Sequence, residues 1–399
     1  MANTYTKLLT GALMIYILLV FLTTNNTLFG YCLLAMILAM AFALPTRKHF
    51  TKIPKRIMCG LFIVAICILV SFFFADYMQK YTVACYACLI LMYLLTDSGM
   101  MSESLAEKPL IDWFYLLLML LTLINIYMSI QLGEEDTVFS VIGEKNYTAV
   151  FVFCVFLYSN KRRYLSGIVL AFVYAAFLTQ SRSFLLLLLL FYFFWFMPEK
   201  IKTFLDNHKI HFFIIFLLLF IAIAVFSFYW VYNVSVSGLV DYKAGLNDGS
   251  NRMRFVANIK AFQMLAEPSK TLLWGYSDHL LEALGVTSEN YAYHTHFLGV
   301  RLVQPHNSLI NPLVTMGIVP GVIYWYILAD LLNKFNTKEN LPYIFPFVVN
   351  AMIMHSMFEL QWLVFWIFIL AIPQQKRKRG IVFTYGNKGK KKRQLTSDI

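Results

Sequence analysis

Long apolar runs separated by short charged breaks dominate the chain. A helix crossing a bilayer needs roughly 17–25 predominantly apolar residues. Twelve such runs, several of them short, can be marked off: about 7–22, 27–45, 57–75, 81–96, 110–130, 147–159, 164–179, 183–198, 211–232, 308–332, 341–356 and 359–373. The pattern predicts an all-α polytopic membrane protein in four parts. These are spans one to nine over 1–232, one large external loop over 233–307, spans ten to twelve over 308–373, and a basic tail over 374–399. The first run is followed by Thr23-Thr24-Asn25-Asn26, a poor site for leader cleavage, and reads as a span.

The polar breaks carry a topology of their own. Arg47, Lys48, Lys52, Lys55 and Arg56 follow the second run, and Lys161, Arg162 and Arg163 follow the sixth. Lys200, Lys202 and Lys209 follow the eighth, Lys334 and Lys338 the tenth, and Lys376 to Arg379 with Lys388 to Arg393 lie in the tail. All of these follow even-numbered runs, so the positive-inside rule puts both termini in the cytoplasm. The acidic break Glu134-Glu135-Asp136 then faces outward. The long loop faces outward too.

Composition agrees. The chain is 60% hydrophobic and only 14% charged, against about 25% charged in soluble domains. Its net charge of +12 sits largely in the breaks and tail, where it sets topology and meets membrane lipid; no nucleic-acid partner is expected. The six cysteines lie inside apolar runs, so no disulfide framework is expected, and Cys85-x-x-Cys88 reads as packing.

Long loops in otherwise tight chains usually carry function. Short amphipathic helices are expected in this one. Asp248-Gly249-Ser250-Asn251 can cap a helix in which Met253, Phe255, Val256, Ile259 and Phe262 form an apolar face and which Pro268 ends. Arg252 and Arg254 would fall in its first turn, where the dipole disfavours cations, which hints at an anionic ligand. His306 precedes an apolar helix that Asn307 or Ser308 would cap; the positive helix end would favour the neutral imidazole, able to accept a proton. His294-x-His296 has no acidic or thiol partner beside it, so no metal and no cofactor are expected. Arg182 lies at the outward end of the eighth run, Arg301 in the loop, and His355 and Glu359 at the outward turn between the last two runs. Ionisable groups beside spans are functional candidates. Several external arginines with a histidine and no metal suit a phosphate-bearing substrate, because guanidinium groups bind phosphate oxygens bidentately and stay charged.

Three stretches carry a resemblance. Gln180-Ser181-Arg182-Ser183 comes first; then Ser250-Asn251-Arg252 with Phe255, Ala261, Glu267-Pro268 and Trp274-Gly275-Tyr276; then Pro305-His306-Asn307-Ser308-Leu309 with Met316-Gly317-Ile318-Val319-Pro320-Gly321. In this order they resemble the O-antigen ligase and O-antigen or capsule polymerase superfamily. Asn251 stands where the family usually has glycine, and Trp274-Gly275-Tyr276 lacks one glycine of its pattern.

The resemblance implies a GT-C-like, metal-independent and inverting glycosyltransferase acting on an undecaprenyl-diphosphate-linked glycan donor. Arg182 and Arg252 would hold the diphosphate, joined by Arg254 and Arg301, and His306 would act as base or phosphate contact. His294, His296, His355 and Glu359 are further candidates. A polymerase would extend another lipid-linked repeat, with a chain-length regulator protein as candidate partner, whereas a ligase would transfer the glycan to lipid A core. A precursor transporter or flippase is the alternative of another class, since twelve spans with both ends inside is also transporter anatomy. The halves show no matching repeat, however, and charges avoid the span centres.

Overall fold

A computed structural model describes residues 53–98, 182–208, 258, 261–283, 305, 307–335 and 340–352, with His211, Ile215 and Leu218 as single positions. The expected spans at 7–22, 27–45, 110–130, 147–159, 164–179 and 359–373, most of that at 211–232, and the basic tail lie outside the described residues. Among the described residues the regular structure is helical, with no strand. One helix there is long and apolar enough to cross a membrane.

That helix is α1, Lys55–Phe74. Pro54 starts it by offering its carbonyl to the N–H groups of Ile57 and Met58, and the chain leaves it at Ala75 in an extended conformation. Twenty residues at a rise of ~1.5 Å each give ~30 Å, the thickness of a bilayer core. Ile57, Val64, Cys67 and Ser71 are buried along one stripe, whereas Phe62, Leu69, Phe72, Phe73 and Phe74 are exposed. That exposed face suits lipid.

A turn over 75–79 leads into α2, Lys80–Ser98. Cys85 and Cys88 on α2 are buried and free. Both helices pack on α8, Ile318–Phe335. Tyr86 donates its hydroxyl to the Pro320 carbonyl at 2.5 Å, and Tyr93 donates to Asp330 Oδ2 at 2.9 Å, so α2 and α8 run parallel. Arg56 at the start of α1 donates to Asp330 Oδ1 at 2.5 Å, so α1 runs the other way. Gly60 lets α1 approach closely: a Cβ there would lie 3.0 Å from Ile323 Cγ2.

A second pair is α3, Arg182–Phe196, and α9, Leu341–Ala351. Leu187, Phe191 and Phe194 form the buried stripe of α3, at the i, i+4, i+7 spacing of one helix face. The two helices pack along each other, with the Phe194 and Phe345 rings 4.5 Å apart.

Two elements differ from the sequence reading. Glu199–Asn207, expected as a charged break, forms a short amphipathic helix, α4, after Pro198, with Ile201 and Phe204 exposed. The expected span at 308–332 is broken. It consists of α7, Ile310–Met316, and then α8, separated by Gly317 at φ +99°. The positive helix end expected beside His306 therefore belongs to a two-turn helix, not to a full span.

Candidate functional site

The break between α7 and α8 organises the loop end of the described structure. Helix ends leave backbone groups without intrahelical partners, and here a segment of the long loop supplies partners to both helices. Tyr276 N–H donates to the Val314 carbonyl at 3.0 Å and Ser277 N–H to the Thr315 carbonyl at 2.7 Å, serving the last turn of α7. Val319 N–H, in the first turn of α8, donates to the Leu272 carbonyl at 2.9 Å. Pro320 has no N–H to satisfy, and Gly321 N–H reaches the Gly317 carbonyl at 2.7 Å. Residues 272–277 thus splint the break.

The splint fits because two glycines face each other. A Cβ on Gly275 would lie 2.2 Å from the Val314 carbonyl oxygen, and one on Gly317 would lie 2.8 Å from the Trp274 backbone. Beneath it, Ala261, Leu280, Ile310 and Val314 form a small apolar core with Met264, Leu265 and Tyr276 around it. The flanking helices α5, Pro268–Thr271, and α6, Leu280–Ala283, are single turns. Pro268 begins α5, and the helical turn at 261–265 ends before it. Ser277 holds φ +53°, the described non-glycine residue with positive φ, and is 1% exposed. Burial, then the charge of Glu267, raises the Tyr276 hydroxyl pKa, while Lys270 pulls the other way.

The α1–α2 turn closes over this segment. Gln79 donates its amide Nε2 to the Gly275 carbonyl at 2.8 Å, while Thr82 donates its hydroxyl to Gln79 Oε1 at 2.9 Å. Tyr77 stacks on His279 with centroids 4.8 Å apart and planes 14° apart. His279 Nδ1 lies 2.9 Å from Glu282 Oε2. Gln79, Tyr77 and His279 were not legible as site residues, since an amide and two rings so far apart in sequence match no chemical spacing.

At the start of α7, Asn307 performs one of the two caps the sequence offered. Its Oδ1 accepts from Leu309 N–H at 2.8 Å and Ile310 N–H at 3.3 Å. Ser308 N–H donates instead to the Ala351 carbonyl at the end of α9, at 2.9 Å. Pro305, Asn307 and Ser308 are all buried.

Arg182 opens α3, and its side chain lies outside the description. Arg252, Arg254, His294, His296, Arg301, His306, His355 and Glu359 lie outside the described residues. Among the described residues no cluster of three or more metal-ligating side chains occurs.

Residues 167–326 match the family model described as O-antigen ligase. Over these residues the chain is similar to that family. The O-antigen ligase match covers about two fifths of the chain and runs from before α3, through the loop, α5, α6 and α7, into α8. It therefore contains both halves of the splint as well as Arg182, Arg252, Arg254, His294, His296, Arg301 and His306, while His355 and Glu359 fall beyond it. Comparisons with curated proteins and with solved structures returned no match.

Proposed function

We propose that this protein is a metal-independent membrane glycosyltransferase that polymerises undecaprenyl-diphosphate-linked oligosaccharide repeats into a surface polysaccharide. The observation that carries this reading is the O-antigen ligase match over the segment holding Arg182, Arg252 and His306. The packing of Trp274-Gly275-Tyr276 against the Gly317 break supports it, because it joins two of the three stretches on which the resemblance rests.

In this reading the acceptor sugar hydroxyl attacks the anomeric carbon of the donor from the face opposite the diphosphate. The new glycosidic bond forms as the bond from anomeric carbon to diphosphate oxygen breaks, with inversion. His306 takes the hydroxyl proton. Arg182 and Arg252, joined by Arg254 and Arg301, stabilise the charge that builds on the departing diphosphate. His294, His296, His355 and Glu359 stand as further candidates. The chain would be GT-C-like, with about twelve spans, both termini cytoplasmic and residues 233–307 external. The arrangement of the described helices supports that topology. The α1–α2 turn meets residues 272–279 at one end, while Arg56 meets Asp330 at the other.

The description of the matched family favours a second reading, transfer of the finished glycan to lipid A core. Gene deletion separates the two. Single repeats attached to core indicate a lost polymerase, and full-length chains stranded on the lipid carrier indicate a lost ligase. A surface glycan left unchanged would refute both.

A further inference from the structure

From the way α4 is tied to the end of α3, we infer that α4 is a membrane-surface helix whose Ile201 and Phe204 dock into the headgroup–acyl boundary of the bilayer. Its neighbours fix where that boundary lies. The exposed residues of α3 include Leu185, Leu189, Phe193 and Phe196. Their spacing puts them on one face, opposite the buried stripe Leu187, Phe191 and Phe194, and that face suits lipid as the exposed face of α1 does. The apolar stretch closes on Trp195 and Phe196, both exposed, and tryptophan is enriched where bilayer meets water. Pro198 cannot continue the helix, since it lacks an N–H, and it stands extended at φ −56° and ψ 140°. Its carbonyl starts a new helix instead, accepting from the Ile201 and Lys202 N–H groups at 2.9 and 3.1 Å. Lys202 then reaches back and donates its Nζ to the Trp195 carbonyl at 3.2 Å. The short helix is thereby held at the level of Trp195.

The surface of α4 is divided to match. Ile201 and Phe204, 47% and 53% exposed, lie three positions apart on one face. The His208 ring continues that face, 4.4 Å from the ring of Phe204. Lys200, Thr203 and Asn207, also exposed, share another face, while Lys202, Leu205 and Asp206 are half-buried. Beyond the helix, Ile215 and Leu218 are exposed as well, so apolar surface flanks α4 on both sides along the chain. Charge sets the kind of partner. Glu199 and Asp206 offset Lys200 and Lys202 within the helix, and Lys202 is engaged by Glu199 at 3.7 Å as well as by the Trp195 carbonyl. Attraction to anionic headgroups therefore contributes little, and apolar burial drives the docking. The partner is a lipid surface whatever its headgroup charge.

The test uses the full-length protein in lipid nanodiscs, with photoreactive benzoylphenylalanine placed singly at positions 193, 201, 203, 204 and 207 and its adducts read by mass spectrometry. The discs hold phosphatidylcholine alone or mixed with phosphatidylglycerol. In both, positions 201 and 204 should give lipid adducts within about threefold of the yield at 193, and positions 203 and 207 about tenfold less. Should one of the two apolar positions not tolerate the probe, the other is held to the same result. Adducts from 201 or 204 to another stretch of this chain, or to a second copy, would overturn the proposal by showing that protein covers the face. So would an absence of lipid adducts there, yields equal to those at 203 and 207, or lipid adducts confined to discs holding phosphatidylglycerol. A yield at 193 no higher than at 203 would remove the lipid-facing frame of α3 on which the docking rests.

Discussion

Gly275 of the long loop and Gly317 of the α7–α8 break lie backbone to backbone, so close that a Cβ on Gly275 would sit 2.7 Å from the Gly317 nitrogen. Neither has room for a side chain, and Gly317 also holds φ +99°, a conformation other residues rarely adopt.

Gly317→Ala is therefore expected to destabilise the loop end by several kcal/mol, combining backbone strain of about 1–3 kcal/mol with overpacking of about 1–3 kcal/mol, and Gly275→Ala by the overpacking alone. Gly60→Ala is the internal comparison. Its nearest contact is a side-chain methyl of Ile323 at 3.0 Å, which can give way, so its cost should be smaller. Thermal unfolding of the three variants in one detergent checks the order.

Gln79 holds the splint from the α1–α2 turn. Gln79→Leu removes the donor to the Gly275 carbonyl and the acceptor for Thr82, leaving buried polar groups without their partners. A loss of about 1–3 kcal/mol is expected. Limited proteolysis should show faster cutting within 261–283 and unchanged cutting around α3 and α4. Equal acceleration at both places would contradict the local role.

At the other end of α8, magnitudes separate two partners of one ion pair. Arg56 is 64% exposed at the side chain and Asp330 15%. An exposed pair contributes about 0–1 kcal/mol, so Arg56→Gln should barely change stability. Asp330→Leu should cost more, because it also removes the carboxylate that accepts from the Tyr93 hydroxyl, whereas Asp330→Asn keeps an acceptor there and should resemble Arg56→Gln. Melting temperatures of the three variants decide this.

Tyr276 supplies a pH prediction. Its pKa in the folded protein is raised above the ordinary value of 10.0, chiefly by burial. The unfolded chain therefore releases this proton first as pH rises. The stability held by the neutral hydroxyl is fully present below about pH 10 and is lost as pH climbs from there through the raised pKa. Tyr276→Phe should show a smaller drop in melting temperature between pH 9 and pH 11 than wild type. An identical drop would show that Tyr276 does not titrate differently on folding.

Much of this was written in the chain. Charged breaks marked the ends of the helices now seen as α1, α2 and α3 to within a few residues, and Asn307 was one of two caps proposed for the helix after His306. The break at Gly317 was hidden, because Leu309 to Leu332 reads as an apolar stretch and its interruption depends on carbonyls captured by residues 272–277, more than thirty positions away. Helix α4 was hidden for the opposite reason: nine residues with four charges look like a topology signal before they look like an element. Gln79 was invisible because a single amide at the end of a span has meaning only once Gly275 is beside it.

The central claim is that Arg252 and His306 carry glycosyl transfer from a lipid diphosphate, and one measurement addresses it directly. Arg252→Ala and His306→Ala are expressed in a strain lacking the native gene, membrane levels are matched by immunoblot, and the surface glycan is separated by gel. The account predicts that both variants reach the membrane and that long glycan chains disappear in both. Chains of wild-type length in either variant would contradict it.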